Sequence, residues 1–179
     1  LQSKIMEHLE KHSILTPAQH GFRTKRSCET QLIATIHELA NGLSDGQQID
    51  AILLDFAKAF DKVPHKRLLH KLQYYGVSDY TLKWVESFLN SRKQHVLVEG
   101  TMSDEAEVVS GVPQGTVMGP LLFLVFINDL PESVNSSVKL FADDCLLYRP
   151  IRSTSDSIKL QDDLDKLEKW ENDWQKAFH

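Results

Sequence analysis

Cysteine and long apolar runs are both scarce in this sequence of 179 residues. Its two cysteines, Cys28 and Cys145, provide neither the disulfide framework of a small secreted domain nor a zinc cluster, which favours a reducing compartment. The longest apolar run, Leu121 to Ile127, reads as a core segment, because a transmembrane helix needs about 20 residues. An initiator methionine and a signal peptide are also missing, so we expect a piece of a longer protein without membrane contact.

Positive charge is not in excess either, since 20 Lys and Arg residues stand against 25 Asp and Glu residues, for a formal net charge of −5 at pH 7. That balance, taken alone, argues against a nucleic-acid partner. The basic residues nevertheless form three clusters, which are Arg23, Lys25 and Arg26; Lys62, His65, Lys66, Arg67, His70 and Lys71; and Arg92, Lys93 and His95. A single cluster of this kind is more often a solvated face than a phosphate contact. No histidine is assigned to a metal.

Helical and strand-like patterns alternate irregularly along the chain, with no internal repeat. Apolar residues at helical spacing predict helices over about 1–15, 27–42, 65–75, 78–89 and 120–130, and a last helix with a stripe at Leu160, Leu164, Leu167, Trp170, Trp174 and Phe178. The second of these helices carries Leu32, Ile33 and Ile36. Short apolar runs predict strands at 51–54, 94–99, 105–109, 138–141 and 145–148, the first of them of the buried type. This order predicts an α+β fold with mostly antiparallel strands.

Three acids follow or separate the predicted strands. Asp143 and Asp144 stand between two strands at a predicted hairpin tip, and Asp55 directly follows the run Ala51–Leu54. If these strands are neighbours, three carboxylates converge, and hard oxygen ligands of that kind suit Mg²⁺. Two alternatives stay open at this point. The Asp pair could simply form a turn, and metal-dependent phosphatases also use short acid motifs after strands.

A loop from Ser110 to Pro120 contains three glycines and one glutamine. Glycine lets the backbone approach a planar or charged ligand closely, and Gln114 can both donate and accept hydrogen bonds. The alternative is a helix-entry loop with Thr116 as the cap of the apolar helix that follows. The loop alone does not separate these two interpretations.

Together these segments resemble the reverse transcriptase domain of a non-LTR (LINE-type) retrotransposon. The motifs that carry the resemblance follow the family's order and spacing over nearly the whole chain. They are Gln19-His20-Gly21-Phe22-Arg23 with Arg26-Ser27-Cys28 and Thr30-Gln31-Leu32; Leu53 to His65; Ser110 to Pro120 with Leu121-Leu122-Phe123; Ile127-Asn128-Asp129-Leu130-Pro131; and Phe141-Ala142-Asp143-Asp144. The resemblance implies a palm-type antiparallel sheet backed by helices at 49–179, preceded by the end of the fingers at 1–48, with the thumb absent.

The resemblance also implies roles for individual residues. Asp55 and Asp143 would be the principal ligands of two Mg²⁺ ions, with Mn²⁺ as an alternative, and Asp144 would be the third catalytic acid. Phe60 stands where the family has the aromatic gate that excludes a ribose 2′-hydroxyl. The remaining contacts with the dNTP would come from Phe56, Ala57, Lys58, Ala59, Gln114 and Gly115. Contacts with template and primer would come from Arg23, Pro113 and Gln114.

The function implied is RNA-directed DNA polymerisation, with an RNA template, a DNA primer, dNTPs and the remaining fingers and thumb of a polyprotein as partners. Thr116, Met118 and Phe126 depart conservatively from the residues usual in the family. Because the upstream fingers and the thumb are missing, we expect the fragment alone to polymerise poorly or not at all. The parent retroelement would act in the nucleus and cytoplasm. The alternative is a non-catalytic remnant that binds nucleic acid at most, whereas an unrelated phosphatase leaves the glycine-rich loop unexplained.

Overall fold

A computed structural model describes residues 1–174 of the chain. Its helices are α1 (Gln2–Lys11), α2 (Cys28–Ser44), α3 (His65–Tyr74), α4 (Asp79–Leu89), α5 (Met118–Ile127) and α6 (Thr154–Trp174). Its strands are β1 (Gln48–Leu54), β2 (Lys93–Gln94), β3 (Leu97–Val98), β4 (Thr101–Met102), β5 (Ala106–Glu107), β6 (Ser137–Phe141) and β7 (Asp144–Ile151). The expected α+β class is therefore confirmed. Phe178, which was predicted on the last apolar stripe, lies outside the described residues.

The central sheet has three antiparallel strands in the order β1-β7-β6. In the β6–β7 hairpin Phe141 pairs with Asp144, so only Ala142 and Asp143 remain in the turn. β1 lies along the other side of β7, as the convergence of the acids requires. Four-residue strands were predicted on either side of the Asp pair, but Asp144 belongs to β7 itself.

The two faces of this sheet have different environments. Side chains such as Leu140, Cys145 and Leu147 are fully buried in the hydrophobic core, together with nine of the ten residues of α5. The face that carries Asp144 is more open, and Leu53 on the same face is 83% exposed. The expectation of a buried strand at 51–54 is therefore wrong, because β1 is an edge strand whose side chains alternate between core and solvent.

Helix α2 also differs from its predicted packing. Ser27 caps it as expected and forms a reciprocal capping box with Thr30. Its buried residues are Gln31 and Thr35, whereas three apolar side chains are exposed, namely Leu32, Ile33 and Ile36. The helical period identified the helix, but it did not identify the side of the helix that faces the sheet.

The segment that follows α5 braces the fold. The helix ends at Ile127 instead of near residue 130, and a 3₁₀ turn, Leu130–Ser133, contains Pro131. The amide of the buried Asn128 accepts a hydrogen bond from the Thr16 N–H at 2.7 Å and donates one to the Ile14 carbonyl oxygen at 2.8 Å. This residue therefore ties the segment after α1 to the centre of the core.

Asp129 neutralises a buried lysine on α3. Its carboxylate lies 2.6 Å from the Lys71 ammonium and accepts a hydrogen bond from the Trp170 indole at 3.0 Å. Burial lowers the pKa of Lys71 to about 8, although the negative charge of Asp129 opposes that shift. The motif around Asn128 and Asp129 is therefore explained by structural contacts.

No helix in residues 1–174 is long and apolar enough to cross a membrane.

Candidate active site

Asp55 and Asp144 lie side by side on neighbouring strands. Leu54 is opposite Cys145 in the antiparallel register, so Asp55 continues β1 directly beside Asp144 at the start of β7. Asp143 precedes Asp144 in the two-residue turn and is half-buried, whereas the other two acids are exposed. The fold thus brings together three acids that are separated by up to 89 positions in the chain.

The electrostatics show that these carboxyl groups affect one another. Burial raises the pKa of Asp144, and the negative charges of Asp143 and Asp55 raise it further. Carboxylate oxygens in such a cluster suit a hard divalent cation, whose charge would relieve their repulsion. No group of three or more His, Cys, Asp or Glu residues in the described part of the chain has side chains arranged to hold a metal ion. The donor chemistry therefore fits a divalent ion, while the side chains do not form a closed ligand set.

The hairpin turn that carries Asp143 is held by Gln19, a residue to which the sequence assigned no role. The Gln19 side chain is 2% exposed, and its amide donates to the Ala142 carbonyl oxygen at 3.0 Å. Its carbonyl oxygen accepts from the N–H groups of Ala142 at 2.9 Å and Gly21 at 2.7 Å. Ala142 has a φ of +54°, a left-handed conformation that is unfavourable for alanine. A buried side chain therefore stabilises a strained turn beside two of the candidate acids.

Gly21 allows this brace to form. A Cβ atom on Gly21 would lie 2.2 Å from the Ala142 backbone nitrogen, so any larger residue would push the two segments apart. The sequence signal that could have revealed the brace is a glutamine two residues before a glycine in one of the family's motifs. The partner of that motif was not visible, because it lies more than 120 positions away.

Replacing Gln19 with Ala is expected to lower the free energy of unfolding by about 2–4 kcal/mol, because it leaves buried backbone groups of the turn without hydrogen-bond partners. Urea unfolding of the 179-residue chain measures this change. Gln73→Ala, at an exposed position of α3, is the matched control and should change stability by no more than about 0.5 kcal/mol. Equal losses in both variants would contradict the bracing role.

The segment after Asp55 packs its aromatic residues inward and leaves its lysine in solvent. Phe56, Ala57 and Ala59 are buried, whereas Lys58 is exposed and has a φ of +51°. Phe60 is half-buried, and its ring stacks on Phe123 with the centroids 4.8 Å apart. A second aromatic ring, that of Phe22, contacts Phe60 edge-on at 6.3 Å. The ring of Phe60 is therefore held on two sides while part of it remains accessible.

Backbone hydrogen bonds join this segment to the glycine-rich loop. The N–H of Gly111 donates to the Val63 carbonyl oxygen and the N–H of Val112 donates to that of Phe60, both at 2.8 Å. A Cβ atom on Gly111 would lie 2.6 Å from the Asp61 carbonyl oxygen, and its φ of +87° also favours glycine. The two motifs therefore form one rigid unit.

Two further side chains stabilise the glycine-rich loop where it contacts the segment after Asp55. His65 and Arg92 each donate to the Gly111 carbonyl oxygen at 2.8 Å. The exposed Gln114 reaches the Asp61 carboxylate at 3.4 Å, and the neighbouring Gly115 is also exposed. Asp61, Arg92, Gly111 and Gln114 line an open cleft of about 730 Å³, which Pro113 and Lys58 also line. Three of the candidate contacts with nucleotide and template, Lys58, Pro113 and Gln114, therefore line one open cleft.

Thr116 forms side-chain hydrogen bonds at the entry to α5. Its hydroxyl accepts from the Gly119 N–H at 3.0 Å and donates to the Pro113 carbonyl oxygen at 2.8 Å. The N-cap of α5 is Val117, which makes no side-chain cap hydrogen bond, so Thr116 is not the cap itself but satisfies the Gly119 N–H from one position earlier. These hydrogen bonds leave the side chain of Gln114 exposed, and contact of Gln114 with a ligand stays a prediction.

Arg23 is engaged within the fold. Its guanidinium forms two hydrogen bonds to the Glu10 carboxylate, at 2.7 and 3.0 Å, and donates to the Thr16 carbonyl oxygen at 2.7 Å. The Arg23 side chain is only 7% exposed. The hydrogen bond from Arg23 lowers the pKa of Glu10, although burial opposes that shift. This packing explains Arg23 as a structural residue, and its contact with the template stays a prediction.

The histidines among residues 1–174 form no metal site. His8 in α1 and His12, the C-cap residue of this helix, stand four residues apart, a spacing that can hold a metal. His8 instead donates from Nε2 to the Tyr75 carbonyl oxygen at 2.8 Å. No third metal-binding side chain completes a site with this pair in residues 1–174.

Comparison with known proteins identifies the class. Residues 1–178 match the family described as reverse transcriptase (RNA-dependent DNA polymerase). The chain therefore belongs to the reverse transcriptase family, and the expected resemblance to the non-LTR retrotransposon enzymes is confirmed.

Its relatives are polymerases of mobile elements. The chain is 30% identical to the RNA-directed DNA polymerase from mobile element jockey of Drosophila melanogaster, over 96% of this chain and 20% of that protein. It is 28% identical to the probable RNA-directed DNA polymerase from transposon X-element of the same species, over 96% of this chain and 19% of that protein. The match to the Pol polyprotein from retrotransposable element R2 of Popillia japonica has 27% identity over 57% of this chain and 19% of that protein. The chain thus spans about a fifth of the length of these relatives.

Proposed function

We propose that this chain is the catalytic palm, at 49–179, and the end of the fingers, at 1–48, of an RNA-directed DNA polymerase. It would add dNTPs to a primer 3′-hydroxyl by nucleotidyl transfer, with release of pyrophosphate. The observation that supports this most is the register that sets Asp55 beside Asp144, with Asp143 in the adjoining turn. Such a group of acids on neighbouring strands is what two-metal phosphoryl transfer requires.

The three acids have distinct proposed roles. Asp55 and Asp143 would hold the divalent ions, Mg²⁺ or Mn²⁺, and Asp144 would be the third catalytic acid. When bound, a pair of such ions stabilises the attacking and leaving oxygens of an in-line displacement. The carboxylates supply the opposing charge, and the Gln19 brace keeps the turn of Asp143 in register with Asp55.

The cleft lined by Lys58, Pro113 and Gln114 would bind the substrates. The backbone from Phe56 to Ala59 would line the triphosphate and sugar, and the Phe60 ring would exclude a 2′-hydroxyl. Gln114 and Gly115 would contact the incoming nucleotide, while Pro113, Gln114 and Arg23 would lie near the template and primer. The hydrogen bonds between Gly111–Val112 and Phe60–Val63 support this proposal, because they hold the two substrate-contacting motifs in a fixed relation.

The remaining fingers and the thumb would come from the rest of a polyprotein. The chain spans about a fifth of its relatives, and the apolar surface of α2 is exposed. We therefore propose that the isolated chain extends primers weakly or not at all. RNA template, DNA primer and dNTPs would be the partners of the complete enzyme, in the nucleus and cytoplasm of the host.

Primer extension by a chimaera tests this function. The sequence replaces the matched segment of the jockey polymerase, and the chimaera is given an RNA template, a labelled DNA primer, dNTPs and Mg²⁺. Extension beyond the primer is expected, and none should occur without the template or with EDTA present. A folded chimaera that fails to extend, beside an active jockey enzyme, would instead support a non-catalytic remnant.

A further inference from the structure

A basic cavity borders the cleft that contains Lys58 and Gln114, at the beginning of α3. It has a volume of about 520 Å³, and its charged lining residues are Lys62, Lys66 and Arg67. Asn90 and Ser110 add polar side chains, and no carboxylate side chain lines the cavity among the described residues. A cavity with positive charge and hydrogen-bond donors is suited to a phosphate group.

The three cations of this cavity have no anionic partner in the fold. None of them forms an ion pair within residues 1–174, whereas Lys71 and Lys93 nearby pair with Asp129 and Glu105. The Arg67 guanidinium lies 6.0 Å from the Trp174 ring centre. Like charges that share one cavity repel each other, and a bound polyanion would relieve that repulsion.

The position of the cavity indicates which polyanion it takes. Val109 and Ser110 line both this cavity and the larger cleft that contains Lys58 and Gln114. The two cavities therefore border one another across the glycine-rich loop. The Asp61 carboxylate lies on the side of the larger cleft, where Gln114 contacts it. A strand that leaves the candidate active site along this surface would pass from the cleft to the three cations.

We propose that Lys62, Lys66 and Arg67 form a binding site for the phosphodiester backbone of a nucleic-acid strand that leaves the active site. This inference rests on the proposed function for the identity of the polyanion. The ammonium and guanidinium groups would contact successive phosphate oxygens, and Asn90 could donate a further hydrogen bond. Contacts of this kind position a strand without reading its sequence.

Salt-dependent binding of an RNA–DNA hybrid tests the site. Fluorescence anisotropy measures binding of a labelled hybrid to the 179-residue chain without dNTP or divalent ion, from 50 to 300 mM KCl. The triple variant Lys62→Gln/Lys66→Gln/Arg67→Gln is expected to bind at least about tenfold more weakly and to lower the slope of log K against log salt by about 2–3. Circular dichroism checks that each variant folds.

Two control variants separate site-specific charge from overall charge. Lys62→Arg/Lys66→Arg/Arg67→Lys keeps the charges and should retain the affinity within about threefold. Lys11→Gln/Lys83→Gln/Lys169→Gln removes three exposed charges elsewhere, and its slope should fall by less than about 1. Equal losses in the two neutralised variants, or no hybrid binding by the unaltered chain, would overturn the proposal.

A competition arm distinguishes a polynucleotide from a free phosphate compound. Inorganic pyrophosphate is titrated into the hybrid complex, and the affinity of pyrophosphate alone is measured by calorimetry. A triple variant that loses pyrophosphate affinity but keeps hybrid affinity would overturn the backbone site. Primer extension by the chimaera is scored separately. If the chimaera extends primers but the triple variant binds the hybrid as tightly as the unaltered chain, only the proposed phosphate site is refuted. If hybrid binding depends on the three cations but the chimaera does not extend primers, only the polymerase function is refuted.

Discussion

Asp143→Asn in the jockey chimaera is expected to reduce primer extension by at least about a thousandfold. The substitution keeps the size of the side chain but removes one negative charge from a group of three that would hold divalent ions. A loss of about 4 kcal/mol of transition-state stabilisation corresponds to that factor. Single-nucleotide extension under pre-steady-state conditions measures it, and Asp55→Asn should behave in the same way.

The free energy of unfolding of the Asp143→Asn variant distinguishes a catalytic effect of the substitution from a folding defect. Removing one of several mutually repelling carboxylates should leave the free energy of unfolding of the 179-residue chain unchanged or slightly higher. Asp50→Asn, on β1 but opposite Arg149 at the far end of the strand, is the matched control and should retain extension. If Asp143→Asn extends primers as fast as the unaltered chimaera, the proposed role of the acid cluster is wrong.

The position of each acid at the end or turn of a strand could be predicted from the sequence, because short apolar runs flank the acids. The register that brings Asp55 beside Asp144 was only a hypothesis, since strand order depends on contacts between distant segments. The role of Gln19 could not be predicted for the same reason. Its hydrogen-bond partner, Ala142, lies far away in the chain and has no distinctive side chain.

The packing of α2 shows a different limit of sequence reasoning. Apolar periodicity indicates a helix, but it cannot say which neighbour covers which side. Gln31 and Thr35 are buried, and Glu38 forms a hydrogen bond with Tyr148 and an ion pair with Lys139. Polar contacts therefore help to decide how this helix lies on the sheet, while its apolar side chains remain exposed.

Phe60→Val is expected to lower the preference of the chimaera for dNTPs over rNTPs by about 10- to 100-fold. The ring of Phe60 is stacked on Phe123 and contacted edge-on by Phe22, so it cannot easily move away from a ribose 2′-hydroxyl. Valine removes most of the ring while keeping an apolar side chain. Steric exclusion of a single small group is worth about 1–3 kcal/mol, which corresponds to this range. The measurement is the ratio of kcat/KM for dCTP to that for CTP on one RNA template.

Further substitutions distinguish steric exclusion of the 2′-hydroxyl by the Phe60 ring from a general effect of losing the packing of that ring. Loss of the Phe60–Phe123 stack also weakens the core, so Val should lower kcat for both substrates to a similar extent as well as relaxing their discrimination. Phe60→Tyr keeps the ring and the stack, and it should retain discrimination close to that of the unaltered chimaera. Phe22→Ala removes the edge contact without placing a β-branched residue at the positive φ of position 22, and it should have a smaller effect because the stack on Phe123 remains. An active Val variant with unchanged discrimination would assign Phe60 to the core and leave the 2′-hydroxyl to be excluded by another group.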